Sequence, residues 1–172
     1  AWIDSLGLLR VGPRSAGGDP GPACYGKGGT EPTVTDADLI LGYVPADFFL
    51  GGEIPRDEAA SRKAMAKVAE PLGASLEAAA AAVFTTANSY MADQITEVAT
   101  RRGHDVRDLT MVAGGGAGPV HAASIADQLH IPTVIVPPIA ATYSAFGMFA
   151  MDVGRNYARS YIARAAAIDV AK

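Results

Sequence analysis

Helical periodicity is clearest in the middle of the chain. Pro55-Arg-Asp-Glu58 places a proline early and acids in the first turn of a predicted helix. Ala60, Ala64, Met65 and Val68 then repeat at helical spacing, and Pro71 with Gly73 should end the element. Ser75 is a good N-cap for a second helix, with Glu77 in its first turn. That helix runs for about 27 residues to Arg101 and Arg102, whose charges suit the negative end, and Gly103 stops it. Its expected buried stripe is Ala79, Val83, Ala87, Tyr90 or Met91, and Val98. Asn88, Asp93, Gln94 and Glu97 are the polar exceptions. Asp93 and Glu97 share a face at a spacing that could serve a metal or acid–base chemistry, but Arg101 continues the row as an ordinary ion-pair partner of Glu97.

Beyond Gly103 the pattern changes. The apolar run Leu109 to Ala113 reads as a buried strand, of the kind found in parallel sheets. It empties into Gly114, Gly115, Gly116, Ala117 and Gly118, and Pro119 follows where a first helical turn tolerates it. The helix should reach about His130, and Thr133 to Val136 is a second strand. Together they make one βαβ unit with an expected right-handed crossover. Pro137 and Pro138 end that strand, and Ser144 is the expected cap of a short apolar helix, Met148 to Val153. The tail reads as a strand, Tyr157 to Ile162, followed by an Ala-rich helix.

Before the helices, Trp2 to Val11 fits a hairpin with a glycine at its turn. The run from Gly12 to Thr30 is too rich in glycine and proline for a helix or an interior strand. Long irregular loops in compact domains are usually functional or disordered. Here Arg14, Asp19, Cys24 and Tyr25 point to a built loop or ligand wall, with a plain structural wrap as the alternative. The expected division is a single domain over 1–172, with a Gly/Pro-rich region at 1–52, a helical insertion at 53–103 and a βαβ nucleotide-side subdomain at 104–172.

Composition narrows the classes. The 172 residues are 49% hydrophobic and 19% charged, enough for a real core and unlike a disordered chain. A net charge of −4 offers no basic surface, so nucleic acid is not an expected partner. No apolar run reaches the ~18 residues of a membrane span, no signal peptide pattern opens the chain, and the cytoplasm is the expected compartment. Cys24 alone can form neither an internal disulfide nor a thiolate metal site. The opening Ala1-Trp-Ile-Asp4, with no initiator Met, reads as the interior of a longer polypeptide.

The candidate chemistry centres on the glycine turn. Glycines 114, 115, 116 and 118, with Ala117, would let a ligand approach bare backbone at a helix N-terminus, where the dipole favours phosphate. A tight turn with nothing bound is the competing reading. The turn is not a Walker A loop, because it ends Gly-Pro-Val rather than Gly-Lys-Ser/Thr. It is not a Rossmann fingerprint either, since the spacing is only approximate and no acidic residue follows the second strand promptly. It resembles the adenosine-contacting turn of the actin, Hsp70 and sugar-kinase superfamily. His121 falls in the first turn of the following helix, placed either to serve a phosphate or reacting carbonyl or to be satisfied by the adjoining loop. No two histidines have ligand spacing, so the metal ligands are left unassigned. Asp19 is the one carboxylate between Arg14 and Thr30, and Pro20 holds it on extended backbone. It could orient Mg²⁺ or an attacking water, or pair with Arg14 or with loop N–H groups.

Three segments in order, Ser15-Ala-Gly-Gly-Asp-Pro-Gly-Pro-Ala-Cys-Tyr-Gly26, Gly29-Thr-Glu-Pro-Thr-Val-Thr-Asp-Ala37 and Gly115-Gly-Ala-Gly-Pro-Val-His-Ala122, resemble the hydantoinase A / oxoprolinase family. The similarity runs over roughly residues 1 to 155 and matches the C-terminal part of that family's catalytic region. The family includes ATP-dependent N-methylhydantoinase and 5-oxoprolinase, and its relatives include acetone and acetophenone carboxylase subunits. The resemblance implies an α/β fold that is half of an actin-like (ribonuclease H-like) ATPase with a helical insertion. It implies ATP and Mg²⁺ as cofactors and a cyclic amide of the hydantoin or 5-oxoproline type as substrate. A ketone, carboxylated with bicarbonate, is the alternative; a truncated piece binding no nucleotide is a third reading. Its implied partners are a hydantoinase B-like subunit or domain and the N-terminal half of the same polypeptide. The site residues carried into that reading are Asp19 and His121 as catalytic groups and Gly114 to Gly118 as the nucleotide turn.

Overall fold

The computed structural model describes residues 1–48, 52 and 55–160. The chain opens with an antiparallel hairpin, β1 (Trp2–Ile3) and β2 (Leu9–Arg10), with Trp2 opposite Arg10 and Ile3 opposite Leu9. Asp4 closes it: one carboxylate oxygen accepts from the Leu6 and Leu8 amides, and the other meets Arg10 Nε at 2.8 Å. Those bonds hold the Asp4 carboxyl below the usual carboxylate range, the Leu8 amide contributing most.

The loop that follows is not free-standing. Helix α1 (Val34–Ile40) lies just after it, and its capping box pairs Thr33 with Asp36. The fully buried Asp36 carboxylate takes the Thr33 amide at 3.0 Å and hydroxyl at 2.7 Å, the Ala23 and Cys24 amides at 3.3 and 2.9 Å, and the Ser61 hydroxyl at 2.6 Å. Ala23–Tyr25 is a short 3-10 turn, so one side chain fixes the end of the glycine–proline run onto α1 and onto α2 (Glu58–Leu72). Gly29 is required by this packing, because a Cβ there would collide with the Gly21 carbonyl oxygen. Burial, then the neighbouring Asp36 charge, pushes the Cys24 thiol up to about 12, so Cys24 packs rather than reacts.

Helix α2 starts at Glu58, three residues after Pro55, because Asp57 caps it by accepting from the Ala60 amide at 2.9 Å. Pro71 sits inside its last turn; the stop is Gly73 at φ 59°, where the Ala74 amide reaches back to the Ala69 carbonyl. Helix α3 (Leu76–Arg101) is capped by Ser75 as expected, and Arg101 pairs with Glu97 at 2.6 Å. Met65, Val68 and Ala69 of α2 and Ala79, Ala80 and Val83 of α3 meet Ala37 of α1 in one core, flanked by Ile3, Leu9 and Val11 of the hairpin region. The expected α3 stripe holds at Ala79, Val83 and Ala87; of the alternatives Tyr90 and Met91, Met91 is partly covered and Tyr90 exposed, and Val98 is exposed. At ~1.5 Å per residue α3 is about 39 Å long against about 22 Å for α2, so its distal part outruns its partner.

The βαβ unit is present: β3 (Thr110–Val112), α4 (Gly118–Leu129) and β4 (Thr133–Ile135), with Met111 opposite Val134 in a parallel pair. The strands are not buried as expected. Met111 and Val134 are partly covered, whereas Val112 and Ile135 stand about half exposed on the opposite face, against which no described element packs. Helix α5 (Tyr143–Met148) replaces the expected Met148–Val153 helix, and Thr142, not Ser144, precedes it. Phe149 and Val153 are exposed, and an apolar segment with no face to bury gains little from continuing a helix. Residues 157–160 form no strand, and the rest of the expected tail strand and helix lies outside the described residues. No helix among the described residues is long and apolar enough to cross a membrane.

Every partner of Asp36 is a donor, so Asp36→Asn substitutes an NH₂ group for an acceptor that the buried donors need. We expect it to cost about 2–3 kcal/mol, read as a lowered urea midpoint with the m-value unchanged.

Candidate functional site

The glycine turn divides into a structural half and an open half. Gly114 lies under the Tyr143 ring, where a Cβ would come within 3.1 Å of the ring edge. Gly115 has φ 92°, a conformation that disfavours any side chain, and its amide donates to the Ala140 carbonyl at 2.7 Å. These two glycines are therefore engaged by the segment that leads into α5. Gly116 and Gly118 face open space. Helix α4 has no side-chain N-cap, Pro119 supplies no N–H, and the Val120 amide donates to the Ala117 carbonyl at 3.0 Å, so the uncapped donor of the first turn is the Gly118 amide beside Gly116.

His121 sits in that first turn, and the structure buries it. Its Nδ1 lies 2.8 Å from Asn88 Oδ1 of α3, its Nε2 lies 3.6 Å from Asp38 Oδ2 of α1, and its ring stacks on Phe84 with centroids 5.0 Å apart. Asp38, Asn88 and His121 are each at least 95% buried. The histidine is thus satisfied by two helices rather than by the adjoining loop. Phe84 is backed in turn by Tyr43, at 4.7 Å between centroids. Tyr43 is held there because its amide and that of Val44 donate to the Asp38 carbonyl, closing the end of α1. Asp38 Oδ1 is buried and accepts no hydrogen bond among the described residues.

Asp19 lies elsewhere. It is exposed in the glycine–proline loop, and no hydrogen bond or ion pair among the described residues ties it to His121 or to the glycine turn. Arg14, its possible partner from sequence, instead lies over the Trp2 ring at 4.6 Å, while Trp2 Nε1 donates to the Gly12 carbonyl. Among the described residues no three His, Cys, Asp or Glu side chains are grouped to hold a metal ion. Asp19 offers one carboxylate, and a nucleotide-bound magnesium would draw its other oxygens from phosphate and water.

Sequence reasoning found His121 and noted Asn88 as a polar exception, but it missed Asp36 and Asp38. The available signal was Thr33-x-x-Asp36, a capping-box spacing, followed at once by a second acid on an otherwise apolar segment.

Known proteins match this arrangement along almost its whole length. Caprolactamase subunit alpha of Pseudomonas jessenii is 45% identical over 154 residues, 89% of this chain and 22% of that protein. The crystal structure of the ATP-dependent caprolactamase from the same organism superposes with a TM-score of 0.77 at 46% identity, over 84% of this chain and 21% of that one. The acetophenone carboxylase gamma subunit of Aromatoleum aromaticum is 44% identical over 93% of this chain and 22% of that protein. The 5-oxoprolinase 1 of Arabidopsis thaliana is 36% identical over 92% and 14%. The chain therefore spans about a fifth of the length of the first relatives it matches. The model of the hydantoinase/oxoprolinase family covers residues 1–157, and with its α/β architecture and its motifs in family order the chain belongs to that family.

Proposed function

We propose that this chain contributes the glycine-turn side of an ATP site to a larger hydantoinase A-like enzyme that opens a cyclic amide of the hydantoin or 5-oxoproline type. The observation that carries the reading is the half-open turn itself, Gly116 to Gly118 at an uncapped helix N-terminus, in a chain of this family. The complete catalytic fold in this reading is actin-like, with 104–172 forming its nucleotide-side βαβ part and the remaining half supplied by chain outside residues 1–172.

The chemistry asked of the site is modest. Phosphorylating an amide oxygen makes the ring carbonyl a better electrophile, and backbone N–H groups offset the charge that develops. Gly115, Gly116 and Gly118 all face open space, but the Gly115 amide is already donated to Ala140, so Gly116 and Gly118 are the glycines assigned to meet a phosphate or adenosine. Asp19 stays in the proposal as an exposed carboxylate on a loop whose far end is anchored, and the role assigned to it is to orient an attacking water. No step is assigned to Mg²⁺; a magnesium on the nucleotide would take its oxygens largely from phosphate and water, with one or two protein carboxylates.

A second reading has its own support. The acetophenone carboxylase subunit is as similar as the caprolactamase subunit, 44% against 45% identity, so a ketone with bicarbonate is an equal candidate for the substrate pair. Both readings share the ATP half and a partner subunit. They separate in the full-length protein with its partner: ATP hydrolysis stimulated by a hydantoin or by 5-oxoproline supports the amidohydrolase, and stimulation only by a ketone with bicarbonate supports the carboxylase.

Two substitutions test the site directly. Gly115→Val would confound strain with obstruction because of its φ of 92°, so Gly116→Val is the informative change. It is expected to weaken ATP binding at least tenfold by calorimetry with helix content intact; unchanged affinity contradicts the nucleotide turn. Asp19→Asn is expected to lower kcat at least tenfold, about 1.4 kcal/mol, with the melting temperature little changed. A kcat within about threefold, with a lower melting temperature, makes Asp19 structural.

A further inference from the structure

We propose that Asn88 and Asp38 are positioning residues for the glycine turn, acting through His121 as a clamp that sets how the first turn of α4 meets the nucleotide. The inference rests on the nucleotide reading given above and names the residues that hold that site in shape.

The geometry makes His121 a handle. It lies in the same first helical turn as Gly118, directly after the open half of the glycine turn, so fixing its ring fixes the rotation and depth of those backbone donors. The ring is gripped on both edges and one face, by Asn88 from α3, by Asp38 from α1 and by Phe84 from α3. With the Asn88 carbonyl facing Nδ1, that nitrogen carries the hydrogen and donates at 2.8 Å. Nε2 then faces the Asp38 carboxylate at 3.6 Å, beyond the range of a short hydrogen bond.

Stability alone does not account for Asp38. Its Oδ1 is buried with no hydrogen-bond partner among the described residues, and a half-satisfied buried carboxylate is a worse core residue than an apolar side chain of the same size. The rest of its surroundings are built to keep it in place: the Asp38 carbonyl takes the Tyr43 and Val44 amides, which seat Tyr43 against Phe84 and Phe84 against His121. The opposite side of the turn is fixed independently, through the Gly115 amide on Ala140 and Tyr143 over Gly114. The turn is thus held at both ends with Gly116 left open between them.

The test uses the full-length protein, with ATP affinity by calorimetry and the unfolding midpoint measured on the same samples. Asp38→Leu and Asn88→Leu keep the volume roughly and remove the polar grip; each is expected to raise the Kd for ATP at least tenfold in protein that remains folded. Asp38→Asn restores a polar group able to hydrogen-bond Nε2, and it should bind ATP at least fivefold more tightly than Asp38→Leu, a rescue that loss of core packing does not predict. Phe84→Leu removes the stacking face without touching a polar contact, and it decides the matter by the same tenfold criterion if the leucine variants fail to fold. A Kd within threefold of wild type in the folded leucine variants, or no difference between Asp38→Asn and Asp38→Leu, overturns the clamp alone. Failure of the wild-type protein to bind ATP overturns the nucleotide reading and the clamp with it.

Discussion

The Asp36 carboxylate is the interaction on which the rest of the described structure depends. Helix α1 has seven residues, too few to stand alone in water, where helices shorter than ~12–15 residues are marginal. It is held by what its side chains reach. Asp36 faces the loop and α2, accepting from Thr33, Ala23, Cys24 and Ser61. Asp38, two residues on and so on the opposite side of the helix, faces His121 at the start of α4. One short helix therefore relates the glycine–proline loop to the glycine turn, and the anchor on one side sets the reach of the carboxylate on the other.

In the proposed nucleotide role, the glycine turn answers two demands that pull against each other. A ligand-contacting backbone must lack side chains, which loosens it, yet preorganised donors must not move. The chain separates the demands by position. Gly114 is covered by Tyr143, the Gly115 amide is held by Ala140, His121 is held by α1 and α3, and Gly116 and Gly118 are left open. The same division fits the burial of the histidine nearest the turn, whose ring meets Asn88, Asp38 and Phe84.

Local signals carried well from sequence to structure. Ser75 caps α3, the apolar runs around the glycines form a parallel βαβ unit, and Glu97 meets Arg101 as helical spacing requires. What was not legible depended on partners distant in sequence. Periodicity cannot say which neighbours a long helix meets along its length: in the distal half of α3 the buried positions are Asn88, Ala92 and Ala99, with Met91 partly covered, while Tyr90 and Val98 stand exposed. The apolar character of Val112 and Ile135 suggested burial, but what lies over a strand face is not written in the strand. Asp38 was overlooked because a single acid on a short segment reads as surface until its carboxylate is seen facing His121, 83 residues on. Asp36 was missed for the opposite reason: its capping box was visible, but the bonds to Cys24 and Ser61 that make it an anchor are tertiary.

The central claim is that the nucleotide meets this chain at the open half of the glycine turn. Amide hydrogen exchange on the full-length protein, with and without saturating ATP, tests it most directly. The account predicts slowed exchange concentrated at Gly116, Ala117, Gly118 and Val120, with the amides of the Asp36 anchor unchanged. ATP that binds while leaving residues 116–120 unaltered would contradict it.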